Sequence, residues 1–123
     1  MRALHQPVWL HQFAAGAVVV REHEKLLGYL LGTVTTHRLA YVHLIATREG
    51  QRGRGIGRLL YDTFLEGARH EGAIRAQAIT TMTNTGSIAF HQRLGFSAEV
   101  VPDYAGPREP RVLFDLWLIT DRH

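Results

Sequence analysis

The chain has no cysteine, which excludes disulfides, Cys-ligated zinc and any thiolate nucleophile. Lysine is nearly absent too: Lys25 stands alone beside thirteen arginines. The basic charge is therefore carried by guanidinium forks, which match phosphate and carboxylate groups better than an ammonium does; a compositional habit of the source genome would leave the same mark. Long apolar runs are missing. The run at 14–20 is closed by Arg21, too short for a membrane span, and His5, Gln6, His11 and Gln12 interrupt any secretory core. A cytoplasmic, unanchored protein is expected. The eight histidines are scattered, with no i, i+4 pair and third ligand, so no metal site is expected.

What is present describes one soluble globular domain spanning 1–123. Of its 123 residues 46% are hydrophobic and 20% charged, with a net charge of +3. A chain of that size buries roughly two-thirds of its unfolded surface and needs no staple.

Residues 16–22 read as a strand, His23-Glu24-Lys25 as a turn, and 26–36 as a second strand with Gly28 and Gly32 as bulge or close-approach points. A third strand covers 39–47. The period then turns helical: Ile56, Leu59, Leu60, Phe64 and Ala68 form one apolar stripe, stopped by Gly72. A fourth strand follows at 74–81, then a helix capped near Asn84 and ended by Gly95-Phe96. Strands at 97–101 and 112–119 close the chain around a loop at 102–110 that holds three of the four prolines. The expected class is α/β: a mixed, largely antiparallel sheet with a central βαβ unit whose two strands run parallel.

Between strand and helix lies Arg52-Gly53-Arg54-Gly55-Ile56-Gly57-Arg58. Alternate glycines let a ligand approach the backbone, and the N–H groups of the helix's first turn point at the same place. Such a loop suits a diphosphate, each charge-assisted hydrogen bond contributing roughly 1.5–3 kcal/mol. The dinucleotide fingerprint fails because Leu60 stands at its third glycine, and the Walker Gly-Lys-Ser/Thr is absent. A tight turn with solvated arginines stays open on spacing alone.

Arg52-x-x-Gly55-x-Gly57 resembles the Arg/Gln-x-x-Gly-x-Gly/Ala signature of the GNAT N-acetyltransferases, and Leu44-Ile45-Ala46-Thr47 resembles that family's fourth strand. Asn84, Ala89, Phe90, Leu94, Gly95 and Phe96 are similar to its later Asn…Gly-Phe segment. The resemblance implies acetyl-CoA as cofactor, with coenzyme A as product. The backbone of Ile45, Ala46 and Thr47 would pair with pantetheine, the amides of Gly53, Arg54, Gly55, Ile56, Gly57 and Arg58 would hold the pyrophosphate behind Arg52, and Asn84 would bond near the thioester. It further implies the acyl-CoA N-acyltransferase fold, here lacking most of the N-terminal β-α-α region, since only residues 1–15 precede the first hairpin strand: enough for one short strand or none. The acceptor side would then be open, built by the 102–110 loop, or completed by a second copy in a homodimer.

Acyl transfer needs a neutral amine, and an amine of pKa about 10.4 is only ~0.1% neutral near pH 7.4. Tyr41 and His43 alternate onto one strand face with Ile45, the face that carries the general base in family members, so His43 is the candidate base. An ordinary half-buried strand histidine is the alternative. Glu22, Glu24 and Glu49 are outside candidates. Where the family places a tyrosine to protonate the leaving thiolate this chain has His91, which either replaces that acid or marks a member that manages without one. The expected function is direct transfer of acetyl to an amine, small or on a peptide or protein; a cysteinyl acyl-enzyme is excluded. The alternative is a non-catalytic acetyl-CoA-binding module. Nucleic-acid binding through Arg52, Arg54 and Arg58 lacks interleaved aromatics, and no membrane partner is expected.

Overall fold

The computed structural model describes residues 2–5, 8–13, 16–50 and 53–118. Ten elements follow in order: β1 (Arg2–His5), β2 (Val8–Phe13), β3 (Ala17–Glu22), β4 (Lys25–Val34), β5 (Leu39–Thr47), α1 (Ile56–His70), β6 (Arg75–Thr80), α2 (Thr85–Arg93), β7 (Ser97–Val101) and β8 (Arg111–Trp117). They build one eight-stranded sheet ordered β1-β2-β3-β4-β5-β6-β8-β7. Every pairing is antiparallel except β5 with β6, as the βαβ reading requires.

The front of the chain differs from expectation: 2–13 supply two strands rather than one or none. Pairing rather than sequence pattern settles the second strand, whose residues point alternately to the two faces. Leu10 pairs with Val20 and is buried, while Trp9 pairs with Arg21 and stays exposed. Gln12 reaches α1, where a Cβ on Gly67 would lie 2.7 Å from its Nε2. The remaining elements lie within two residues of the expected bounds, and Gly72 (φ 94) and Gly95 (φ 102) follow the two helix ends in left-handed conformations.

Both helices lie on one face of the sheet. His91 of α2 touches Tyr61 of α1 and stacks on Phe114 of β8. Val18, Val20, Leu30, Leu60, Tyr61 and Phe114 are fully buried there. The expected close approaches are real: a Cβ on Gly32 would strike the Phe64 ring at 2.4 Å, and one on Gly28 would meet Ile56 at 2.9 Å. The opposite face carries Leu31 opposite Leu44, 43% and 47% exposed, with no helix over them among the described residues.

Candidate active site

The site begins where the parallel pair separates. β5 and β6 pair only from Leu39↔Arg75 to Val42↔Ala78, yet β5 runs on to Thr47 still paired with β4. The cause is local. Leu31 faces Leu44 and Gly32 faces Val42, so His43 is an extra residue, a β-bulge. A bulge bends its strand and re-aims the side chains beyond it, and residues 43–47 keep an edge that β6 does not share.

The bulge also corrects the strand-face expectation. Tyr41 and His43 do share a face, with rings edge to face at 4.9 Å, and His43 Nε2 lies 3.1 Å from Thr33 Oγ1. Ile45 does not share it. Its partner Leu30 is on the helix face, as is Gly32 opposite Val42, so Ile45 packs with the core. On the open face, Tyr104 of the 102–110 loop reaches Tyr41. Burial, then that phenol's charge and hydrogen bond, raises the pKa of the Tyr41 hydroxyl above its usual value.

The glycine loop meets this opening from the helix side. Gly53 (φ 85) and Gly55 (φ 74) are left-handed, and a Cβ on either would meet nothing within 4 Å. Gly55 is the N-cap of α1, with no side-chain cap and no acidic residue in the first turn. The amides of Ile56, Gly57 and Arg58 are left as donors at the positive end of the helix dipole. Gly57 serves a different purpose from its neighbours: a Cβ there would lie 2.8 Å from the Phe90 ring, so it seats α2 against α1. Arg54 pairs with Glu22 at 3.3 Å, and Arg58 donates to the Arg93 carbonyl. Arg52 lies outside the described residues. Glu24 and Glu49 are exposed turn residues.

Asn84 is the N-cap of α2, its Oδ1 accepting from the Ser87 amide at 3.1 Å. One turn further, His91 is 3% exposed. Its Nδ1 lies 2.8 Å from the Ser87 carbonyl and its Nε2 2.6 Å from the Tyr61 hydroxyl, with the ring stacked on Phe114 at 4.0 Å. Burial lowers the His91 pKa, although the Ser87 carbonyl pulls the other way, and burial pushes Tyr61 well above its usual value. Sequence reasoning missed Tyr61. It sits beside Leu60 at the border of the apolar stripe, and a tyrosine there reads as surface until its partner across the helix pair is known. Among the described residues no three metal-ligating side chains cluster, and no helix is long and apolar enough to cross a membrane.

A parallel strand pair that opens at a bulge, with a left-handed glycine loop feeding an uncapped helix beside it, defines an acyltransferase-type α/β domain. The chain belongs to the acetyltransferase (GNAT) family, whose profile matches residues 2–96. It is similar to N-alpha-acetyltransferase 30 of Schizosaccharomyces pombe, 25% identical over 92 residues; the match covers 72% of this chain and 61% of the length of that relative. Among solved structures it resembles Ard1 from Thermoplasma volcanium, with TM-score 0.75, 21% identity, and 85% and 72% of the two chains covered. A Bacillus subtilis acetyltransferase in complex with CoA gives TM-score 0.71 at 18% identity, covering 84% and 76%. These structural likenesses establish the fold, and the profile match establishes membership of the acetyltransferase family.

Proposed function

We propose that this chain transfers an acetyl group from acetyl-CoA directly to an amine. The observation that carries the reading is the opening of β5 from β6 beside the uncapped start of α1. The unshared edge of 43–47 suits an added strand, so the backbone of Ile45, Ala46 and Thr47 would pair with the pantetheine amides. The amides from Gly53 to Arg58 would hold the pyrophosphate with the helix dipole behind them. Arg54, whose guanidinium pairs with Glu22, and Arg58, whose guanidinium bonds α2, would contribute their amides. Asn84 keeps its NH2 group for the pantetheine end, its oxygen being used by Ser87. When bound, acetyl-CoA supplies the acyl group as a thioester.

His43 is the general base. In the tautomer whose Nε2–H donates to Thr33, Nδ1 is free to accept the proton of the acceptor amine. The new C–N bond then replaces the C–S bond, and the thiolate, whose conjugate acid has a pKa near 8.5, leaves without an acid. We assign His91 no acid role, because both its ring nitrogens are held within the core.

The acceptor we favour is the α-amine of a polypeptide. Its support is the likeness to an N-alpha-acetyltransferase and the absence, among the described residues, of a helix over the face that carries Tyr41 and His43. A compact polycation finds less there: Asp115, the carboxylate of β8 on that face, is already held by Arg75 and Gln77. The test is thiol release from acetyl-CoA across α-amine peptides, lysine-side-chain peptides, a polyamine and an aminoglycoside. Turnover is expected with α-amine peptides, falling about 10²-fold in His43→Ala with acetyl-CoA affinity unchanged. Tight binding with no turnover on any amine would favour the non-catalytic module.

A further inference from the structure

Between the two helices runs a hydrogen-bonded chain of which the reading above uses only the Asn84 end. The Ser87 amide donates to Asn84 Oδ1, the Ser87 carbonyl accepts from His91 Nδ1, and His91 Nε2 meets the Tyr61 hydroxyl at 2.6 Å. A carbonyl only accepts, so Nδ1 carries the ring proton and Nε2 must accept from Tyr61. Tyr61 is fully buried, and the His91 imidazole is walled by Phe90, Phe96 and Phe114. The chain therefore links the N-cap of α2, through the core, to the second turn of α1.

Packing alone would not require this pair. Aromatic rings fill the same wall, and burying a hydroxyl and an imidazole has a desolvation cost that an apolar pair avoids. The Gly57–Phe90 contact limits how closely the helices approach, and a short hydrogen bond adds a fixed direction as well as a distance. The cost is accounted for if the distance between the two helix starts matters.

We propose that Tyr61 and His91 are positioning residues for acyl-CoA: their hydrogen bond sets the spacing between the start of α1, which takes the pyrophosphate, and the start of α2, which takes the pantetheine end. This rests on the acyl-CoA reading above. A ligand that touches only one helix start does not sense the strut; a ligand that spans both gains from having them pre-set.

That difference gives the test. ADP engages only the start of α1, whereas coenzyme A reaches both, so each is titrated calorimetrically into the wild-type chain and into Tyr61→Phe. The expected result is about a tenfold rise in the Kd of coenzyme A with the Kd of ADP unchanged. Equal weakening of both ligands, or of neither, would overturn the proposal, since general loosening of the core does not distinguish them. A fall in kcat for Tyr61→Phe with coenzyme A affinity intact would also overturn it and return His91 to an acid role. Should Tyr61→Phe fail to fold, the pair Tyr61→Phe with His91→Phe removes both polar partners and leaves neither unsatisfied, and the same comparison is read on it. Wild-type protein that binds no coenzyme A is a separate outcome, which sinks the acyl-CoA reading itself.

Discussion

Gly28 lies where β4 passes beneath the first turn of α1, and alanine there probes how closely helix and sheet are packed. Its Cβ would sit 2.9 Å from the Ala46 carbonyl oxygen on one side and 2.9 Å from Ile56 Cγ2 on the other, with Leu60 Cδ1 at 3.3 Å. Ile56 and Leu60 are 4% and 0% exposed, so neither can turn out into water. The helix start must then lift from the sheet, and such overpacking costs roughly 1–3 kcal/mol. A less flexible unfolded chain offsets roughly 0.4–1 kcal/mol of that, leaving a net loss of about 1–2 kcal/mol. For a domain of this size about 1 kcal/mol corresponds to roughly 4 °C, so the Tm by calorimetry should fall by about 4–8 °C. Gly86, in the first turn of α2, meets nothing within 4 Å. Gly86→Ala should raise the Tm by about 2–4 °C through helix propensity alone. The lifted turn carries the amides of Ile56 and Gly57, so acetyl-CoA affinity should drop in Gly28→Ala. An unchanged or higher Tm in Gly28→Ala would refute the close seating of α1 on β4.

Asn84→Ala removes the α2 cap and should cost about 1 kcal/mol in urea unfolding, with a higher Kd for acetyl-CoA. His91 supplies a pH dependence. Its folded pKa lies below the unfolded value near 6.5, so the unfolded chain binds more protons below about pH 6.5. Stability from this group is complete above that pH and declines as pH falls toward the folded pKa. Urea midpoints at pH 7.5 and 5.5 should separate in the wild type and converge in His91→Phe. Asp115 acts lower: hydrogen bonding from Arg75 holds its pKa below the usual carboxylate value. Its contribution is present above the unfolded pKa of about 4 and is lost as pH falls through the folded value, a loss that Asp115→Asn should abolish.

Much of the molecule is legible in the sequence because local and global signals agree. Gly28 and Gly32 stand out as glycines in a β-branched and leucine-rich strand, and both prove to be close approaches to α1. The stripe from Ile56 to Ala68 and the stops at Gly72 and Gly95 follow from period and backbone freedom. What stayed hidden depends on register or on partners distant in sequence. Strand alternation put Ile45 with Tyr41, and one inserted residue at His43 reversed that face. The front strands are hard to read because adjacent polar residues, His11 and Gln12, break the apolar/polar alternation; Gln12 lies on the helix face beside Leu10 and meets Gly67 of α1. By sequence His91 stands where the family places a tyrosine; its bonds to Tyr61 across the helix pair and to the Ser87 carbonyl are what accommodate a buried imidazole there.

In the proposed function the opened edge of β5 and the start of α1 together hold acyl-CoA. Amide chemical shifts recorded during titration with acetyl-CoA test it residue by residue. The account predicts saturable changes concentrated at Ile45–Thr47, at Gly53–Arg58 and at Asn84, with the far strands β7 and β8 unmoved. Saturable binding that leaves those amides unchanged, or no binding at millimolar ligand, would contradict it.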